Sequence, residues 1–147
     1  MGYTLEAVLL DSQAARFKHG LPTISLGHGI ALIPLTDEVL DEQFGLSGPG
    51  TSGAFWKSGA VLEAFLVEVS RLGRVAYVEA DFFGGSGTQV AAVWQQGKCV
   101  MGPECSKGGG AINHALRLLG VPRSPGQDEF DEVGLGRFRH TADWGGG

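Results

Sequence analysis

The sequence predicts a single α+β domain, residues 1–147, in which an antiparallel sheet carries two to three helices on one face. The chain has 147 residues, which is the size of one domain with its own core. Three β-rich segments follow one another between residues 74 and 102, separated by short connections. Two further segments, 55–72 and 111–119, repeat apolar residues every three or four positions, as amphipathic helices do. Consecutive strands with separate helices are typical of the α+β class.

The first third of the chain predicts strands followed by a short helix. YTLEAVLLD at 3–11 predicts a strand, and SQAARF after it predicts a short helix or turn. A hairpin or a bulged strand is predicted next, from the apolar runs TISLGHG and IALIPL and the glycines on both sides of His28. Thr36 begins a short acidic helix, because its hydroxyl can accept from the first-turn amides, and Gly45 ends it.

A glycine-rich segment precedes the most regular helix. GLSGPGTSGA at 45–54 predicts a flexible loop, because almost none of its side chains can join a core. The helix predicted over 55–72 ends at Gly73. Its apolar face consists of Phe55, Ser58, Val61, Leu62, Phe65, Leu66, Val69 and Leu72.

The second half predicts a β-meander, a helix and an irregular tail. The strands are expected at 74–83, 88–95 and 98–102, with Gln96 and Gly97 forming a tight turn between the last two. The helix over 111–119 stops at Gly120 and Pro122. Residues 121–147 are polar, and we expect them to dock on the body as an irregular tail through their aromatic side chains, Phe130, Phe138 and Trp144.

The glycine cluster in DFFGGSGTQVAAVW, residues 81–94, resembles a phosphate-binding loop at first sight. Such loops lie between a strand and a helix, because the amides of the helix N-terminus hold the anion. Here a strand is expected to follow, so the glycines predict a hairpin turn with positive-φ positions. Binding of an anion by the turn amides alone remains an alternative.

The strand before this cluster carries two carboxylates. The period of two places Tyr77, Glu79, Asp81 and Phe83 on one face, with the carboxylates roughly 7 Å apart. We expect this face to meet solvent, because Ala76, Val78, Ala80 and Phe82 are apolar and would face the core. An exposed face of this composition is suited to binding, and the same carboxylates could instead form an acid–base pair for hydrolysis. The candidate binding residues are Tyr77, Glu79, Asp81, Phe83, Gly84, Gly85, Ser86, Gln89 and His140; none is assigned as catalytic.

The histidines and cysteines predict neither a metal site nor a cofactor. No two of the four histidines lie within eight residues of each other, which is unlike the usual spacing of metal ligands. Cys99 and Cys105 are too few for a disulfide framework, and their spacing fits no standard zinc pattern. Their role stays open.

Charge and hydropathy argue against nonspecific binding to nucleic acid and against a membrane-spanning helix. The net charge is −5, from 16 acidic and 11 basic residues, which argues against nonspecific nucleic-acid binding. The apolar runs fall far short of the ~20 residues that a membrane-spanning helix needs. The N-terminus has no basic region before its short apolar run, so we expect a cytoplasmic protein. The sequence does not indicate an oligomeric state.

Several motifs carry a resemblance over about residues 25–144. They are IALIPLTDEVLDE, VAYVEADFFGGSGTQVAAVW, AINHALRLLGV and DEFDEVGLGRFRHTADW. In these the chain resembles a family of small uncharacterised bacterial proteins, which are similar to the stand-alone acidic proteins of bacterial genomes that include immunity partners of toxins. The resemblance implies no reaction. A protein partner is expected because the domain is acidic, carries no assembled catalytic set and has one strand face of aromatic and carboxylate side chains that we expect to be exposed. We therefore expect a non-enzymatic binding protein. The alternative is a small hydrolase or ligand-binding enzyme with its site around 84–88, Glu79 and Asp81, with His114 or His140 contributing.

Overall fold

The computed structural model describes residues 2–17, 20–21, 23–36, 60–83, 86–107, 110–122, 124–135, 141 and 144. The strands are β1 (Gly2–Leu10), β2 (Ile24–Ser25), β3 (Ala31–Pro34), β4 (Val75–Phe83), β5 (Ser86–Gln95) and β6 (Lys98–Ser106). The helices are α1 (Ala60–Val69), α2 (Gly110–Leu118) and α3 (Glu129–Val133), with 3₁₀ turns at Ala14–Arg16 and Gly27–Gly29.

The strands form one antiparallel sheet in the order β2-β3-β1-β4-β5-β6. The predicted α+β class is therefore confirmed. The meander β4-β5-β6 is formed by neighbouring hairpins, while β1 lies beside β4 although some sixty residues separate the two strands in the chain. That central pairing extends over all nine residues of each strand, from Gly2 opposite Phe83 to Leu10 opposite Val75.

The sheet buries apolar side chains on both of its faces. α2 and α3 share one face, here the α2 face, where Ile112 and Leu116 pack with Val78 and Ala91. The third helix, α1, lies on the opposite face, here the α1 face. There its Leu62, Leu66 and Val69 pack with residues that include Val8, Val75 and Tyr77. The helices therefore do not all share one face as expected, because the alternate residues of β1 and β4 are apolar on both sides of the sheet.

The glycine cluster lies at a β-hairpin. Phe83 pairs with Ser86, so Gly84 and Gly85 alone separate β4 from β5, and β5 continues as a strand to Gln95. The hairpin prediction is confirmed. The next turn is also as predicted, because Gln96 and Gly97 have φ values of 52° and 78°, the conformation of a tight hairpin turn. β6 is longer than expected and extends to Ser106, with a register shift opposite Ala91 and Val93.

Two predicted elements, the helix over 36–44 and the flexible loop over 45–54, lie outside the described residues apart from Thr36. Within 121–147, where an irregular tail was expected, the structure contains α3, and Leu135, Thr141 and Trp144 are buried. No helix in the described part of the chain is long and apolar enough to cross a membrane.

Candidate functional site

The strand face that carries Tyr77, Glu79 and Asp81 is largely covered. Tyr77 and Glu79 are each 0% exposed on the α1 face, whereas Asp81, two residues further along, is exposed. The expectation that this face meets solvent is therefore wrong for Tyr77 and Glu79. The alternation of β4 predicts one buried face and one solvent-exposed face, but α1 supplies a second apolar layer that covers the other side.

Tyr77 and Glu79 form a buried hydrogen bond. The Tyr77 hydroxyl donates to Oε2 of Glu79 at 2.6 Å. Burial, together with the negative charges of Glu79 and Glu6, raises the pKa of Tyr77 far above its ordinary value. The phenol is thus held in its neutral form, in which it can donate to the carboxylate.

A second buried carboxylate lies on the neighbouring strand. Glu6 of β1 is directly opposite Glu79 in the sheet register and is 7% exposed. The Thr141 hydroxyl donates to Oε2 of Glu6 at 2.6 Å and accepts from the Glu6 amide at 3.0 Å. We call Glu6, Tyr77, Glu79 and Thr141 the carboxylate cluster.

Sequence reasoning missed Glu6 and Thr141. The one available signal was Glu6 itself, a carboxylate inside the apolar run of β1. That Glu6 lies opposite Glu79 depends on the pairing of β1 with β4, and neighbouring residues in the sequence do not reveal that pairing. The pair predicted instead, Glu79 and Asp81, consists of one buried and one exposed carboxylate. Chemically, the cluster places two acceptor carboxylates beside two hydroxyl donors in a site largely shielded from water.

Gln89 lies on the other face and supports α2. Its Oε1 accepts from the Ile112 amide at 3.0 Å, and its side chain is 2% exposed. Ser106, opposite Gln89 in the register, accepts from the Ala111 amide at 2.9 Å. Together the two side chains satisfy first-turn amides of α2 that have no partner within the helix. Gln89 is thus a helix cap supplied by a strand, and it does not join Tyr77 and Glu79.

The remaining candidate residues are near the hairpin or in the tail. Phe83 and Ser86 are the paired residues that flank the hairpin turn. Gly84, Gly85 and His140 lie outside the described residues. Of the predicted set, the structure therefore brings together Tyr77 and Glu79.

The described histidines make contacts remote from the cluster. His114 on α2 lies with Nδ1 2.9 Å from Oε1 of Glu104, so it is on the α2 face, away from Glu79. Nε2 of His28 is 3.4 Å from Oε1 of Glu132. Among the residues that the structure describes, no group of three His, Cys, Asp or Glu side chains could hold a metal ion. Cys99 and Cys105 are exposed free thiols on β6.

Carboxylates are concentrated at α3. Asp128 caps the helix by accepting from the Asp131 amide at 2.9 Å, and Glu132 accepts from the Ser124 hydroxyl at 2.8 Å. Glu129 points inward, is 1% exposed, and accepts from Nε of Arg117 at 2.9 Å. The other three carboxylates are at least partly exposed. We call Asp128, Asp131 and Glu132 the acidic α3 surface.

No family model, curated protein or solved structure matches this chain significantly. The function is therefore argued from the geometry and charge of the described residues.

Proposed function

We propose that this chain is a non-enzymatic bacterial binding protein of the immunity type, acting in the cytoplasm on a basic protein partner. The observation that carries the proposal is the acidic α3 surface, where Asp128, Asp131 and Glu132 lie on one short helix and its cap. The chain as a whole has a net charge of −5. Complementary charge steers a cationic partner toward such a surface and raises its association rate.

The arrangement of the other candidate groups also supports binding over catalysis. Glu79 is buried and accepts from the Tyr77 hydroxyl, whereas Asp81 is exposed, so only one of these two carboxylates is open to solvent. The glycine cluster connects two strands, which removes the helix N-terminus that a nucleotide-binding loop uses. His114 lies on the opposite side of the sheet from Glu79.

Capture from the native host tests this proposal. The tagged protein, incubated with host lysate at low salt, is expected to retain one stoichiometric protein of basic isoelectric point and to release it as salt rises. Asp131→Lys should weaken capture, since Asp131 is exposed on α3. The matched control is Glu68→Lys, the same charge change on the exposed side of α1. A partner that binds both variants equally, or no stoichiometric partner, contradicts the proposal.

The second candidate is a small hydrolase or ligand-binding enzyme built on the carboxylate cluster. One observation favours it: two glutamates, 7% and 0% exposed, lie opposite each other beside a buried tyrosine. Burying carboxylates is costly, and ionisable groups in such surroundings occur frequently at functional sites. This candidate uses Glu6 with Glu79, and not Glu79 with Asp81.

A ligand screen by thermal shift separates the two candidates. If the cluster binds a ligand, the same compound should stabilise the wild type and Asp81→Asn but not Glu79→Gln. Asp81→Asn is the matched control because it alters an exposed carboxylate on the same strand face. Equal stabilisation of all three proteins would place the ligand elsewhere and contradict the enzymatic candidate.

A further inference from the structure

Three aromatic rings lie together at one end of the α2 face. Tyr3 on β1 is directly opposite Phe82 on β4, and their ring centroids are 6.5 Å apart at an interplanar angle of 61°. The ring centroid of Phe130, on α3, lies 5.6 Å from that of Tyr3. All three residues are half-buried, so this group of rings is partly accessible to solvent. We call Tyr3, Phe82 and Phe130 the aromatic patch.

The rings are held in place by hydrogen bonds and by packing. The Tyr3 hydroxyl donates to a backbone carbonyl at 2.9 Å. The Phe130 amide donates to Oδ1 of Asn113 at 2.8 Å, which ties α3 to α2. Phe82 lies over Gly87, since a Cβ on that glycine would collide with Cδ1 of the ring. A surface fixed in this way loses little conformational entropy when a partner binds, which favours affinity.

Carboxylates of the acidic α3 surface adjoin the aromatic patch. Nδ2 of Asn113 donates to Oδ2 of Asp128 at 3.0 Å, and Oδ1 of the same Asn113 accepts from the Phe130 amide. Asn113 thus holds Asp128 beside the residue that carries the ring. Asp131 follows Phe130 directly in α3 and is exposed. An aromatic ring and carboxylates are therefore presented side by side on α3.

A guanidinium group suits this combination of rings and carboxylates. The flat guanidinium of arginine stacks on aromatic rings, and its N–H groups donate to carboxylates, often through two parallel bonds. The ammonium of lysine is a compact, strongly hydrated charge that pairs with carboxylates but stacks less well on rings. A second copy of this chain is a poor occupant, because the net charge of −5 makes two copies repel each other.

We propose that the aromatic patch is the centre of the partner interface and binds an arginine side chain of the partner, with Asp128 and Asp131 accepting from its guanidinium. The inference rests on the proposed function, because the acidic α3 surface supplies the charge that attracts a basic partner. It adds the chemistry of the contact, which is arginine in preference to lysine. Aromatic and arginine side chains are also the residues that most often dominate the binding energy of protein interfaces.

A titration with two synthetic peptides tests the preference for arginine on the wild-type protein. Acetylated hexa-arginine amide and hexa-lysine amide carry the same charge, so a difference in their affinities reports on more than charge. Binding is followed by NMR at low salt, through the ring protons of the aromatic patch and the Asp131 amide. We expect hexa-arginine to bind at least about threefold more tightly than hexa-lysine. Equal affinities, or ring protons that do not shift, would overturn the proposal.

Phe130→Leu removes one ring of the patch and keeps an apolar side chain. It should abolish the preference for hexa-arginine, so that the two peptides bind within about twofold of each other. The matched control is Phe17→Leu, the same change in a half-buried ring pair on the α1 face, where the centroids of Phe17 and Phe65 lie 5.9 Å apart. This control should keep the wild-type preference, and a loss of preference in both variants would overturn the proposal.

Asp131→Lys separates a failure of this inference from a failure of the proposed function. Should it weaken the binding of both peptides at least about fivefold while Phe130→Leu behaves like Phe17→Leu, the acidic α3 surface binds cations without the patch, and only the inference fails. Should Asp131→Lys bind both peptides as the wild type does, the acidic α3 surface is not the site and both proposals fail. A protein that sediments alone as a dimer, and as a monomer after Phe130→Leu, would place a second copy on the patch and overturn the inference.

Discussion

Tyr77→Phe removes one hydroxyl from a fully buried pair and so measures what the Tyr77–Glu79 hydrogen bond contributes to stability. The deleted bond is 2.6 Å long, and its acceptor is Glu79, which is 0% exposed. Hydrogen bonds to charged groups contribute roughly 1.5–3 kcal/mol, and the loss leaves the buried carboxylate with one donor fewer. We expect a loss of about 2 kcal/mol in the free energy of unfolding, which corresponds to a fall of roughly 5–8 °C in Tm for a domain of this size.

The assay is chemical denaturation followed by circular dichroism, with Tyr3→Phe as the matched control. The Tyr3 hydroxyl donates to the backbone carbonyl of Leu135 at 2.9 Å, so the same substitution there removes a bond to an uncharged acceptor. That change should cost about 1 kcal/mol. Glu79→Gln in a double-mutant cycle with Tyr77→Phe should give a coupling of at least about 1 kcal/mol. A Tyr77→Phe cost no larger than that of Tyr3→Phe, with no coupling, would refute the argument.

Three further predictions concern the fold. In the folded state, burial raises the pKa of both tyrosines, and the Glu79 and Glu6 carboxylates raise that of Tyr77 further. The free energy of unfolding therefore keeps its full value below the unfolded-state tyrosine pKa of about 10. Above that pH it falls by about 2.7 kcal/mol per pH unit, counting both tyrosines. Phenolate absorbance should appear only together with loss of the circular dichroism signal. Gln89→Leu leaves the Ile112 amide without its acceptor and should cost about 1–2 kcal/mol in denaturant unfolding, whereas the exposed neighbour Thr88→Val should change stability by under about 0.5 kcal/mol. Gly102→Ala should lower the free energy of unfolding by at least about 2 kcal/mol, because φ is +76° and the new Cβ would lie 2.6 Å from the carbonyl oxygen of Ala91. Gly120→Ala is the control: φ is +98° and nothing lies near the new Cβ, so it should cost about 1 kcal/mol. Equal costs for the two variants would contradict the steric argument.

The local parts of the fold could be predicted from the sequence because their signals lie within a few residues. The alternation in 74–83, the Gln96-Gly97 turn and the glycine hairpin each correspond to an observed feature. The continuation of β6 to Ser106 was missed, because Gly102 and Pro103 indicate a loop and here lie in an irregular part of the strand. α3 was missed because a five-residue helix has too few turns to show a period.

The site was less predictable because it depends on long-range pairing. The sequence places Glu79 and Tyr77 on one face of their strand, but whether that face is exposed to solvent depends on which side of the sheet α1 covers. Glu6 and Thr141 are 135 residues apart and meet through the tail. Gln89 was predicted to be a binding residue because it lies near the glycine cluster in the sequence. In the structure it instead accepts a hydrogen bond from the first turn of α2.

The measurement that tests the proposed function most directly is the affinity of the purified protein for the partner captured from its host. We predict that Asp131→Lys weakens this affinity at least about tenfold at low salt, mainly through slower association, and that Glu68→Lys leaves it within about twofold. Equal affinities for wild type, Asp131→Lys and Glu68→Lys, unaffected by salt, would contradict recognition through the acidic α3 surface.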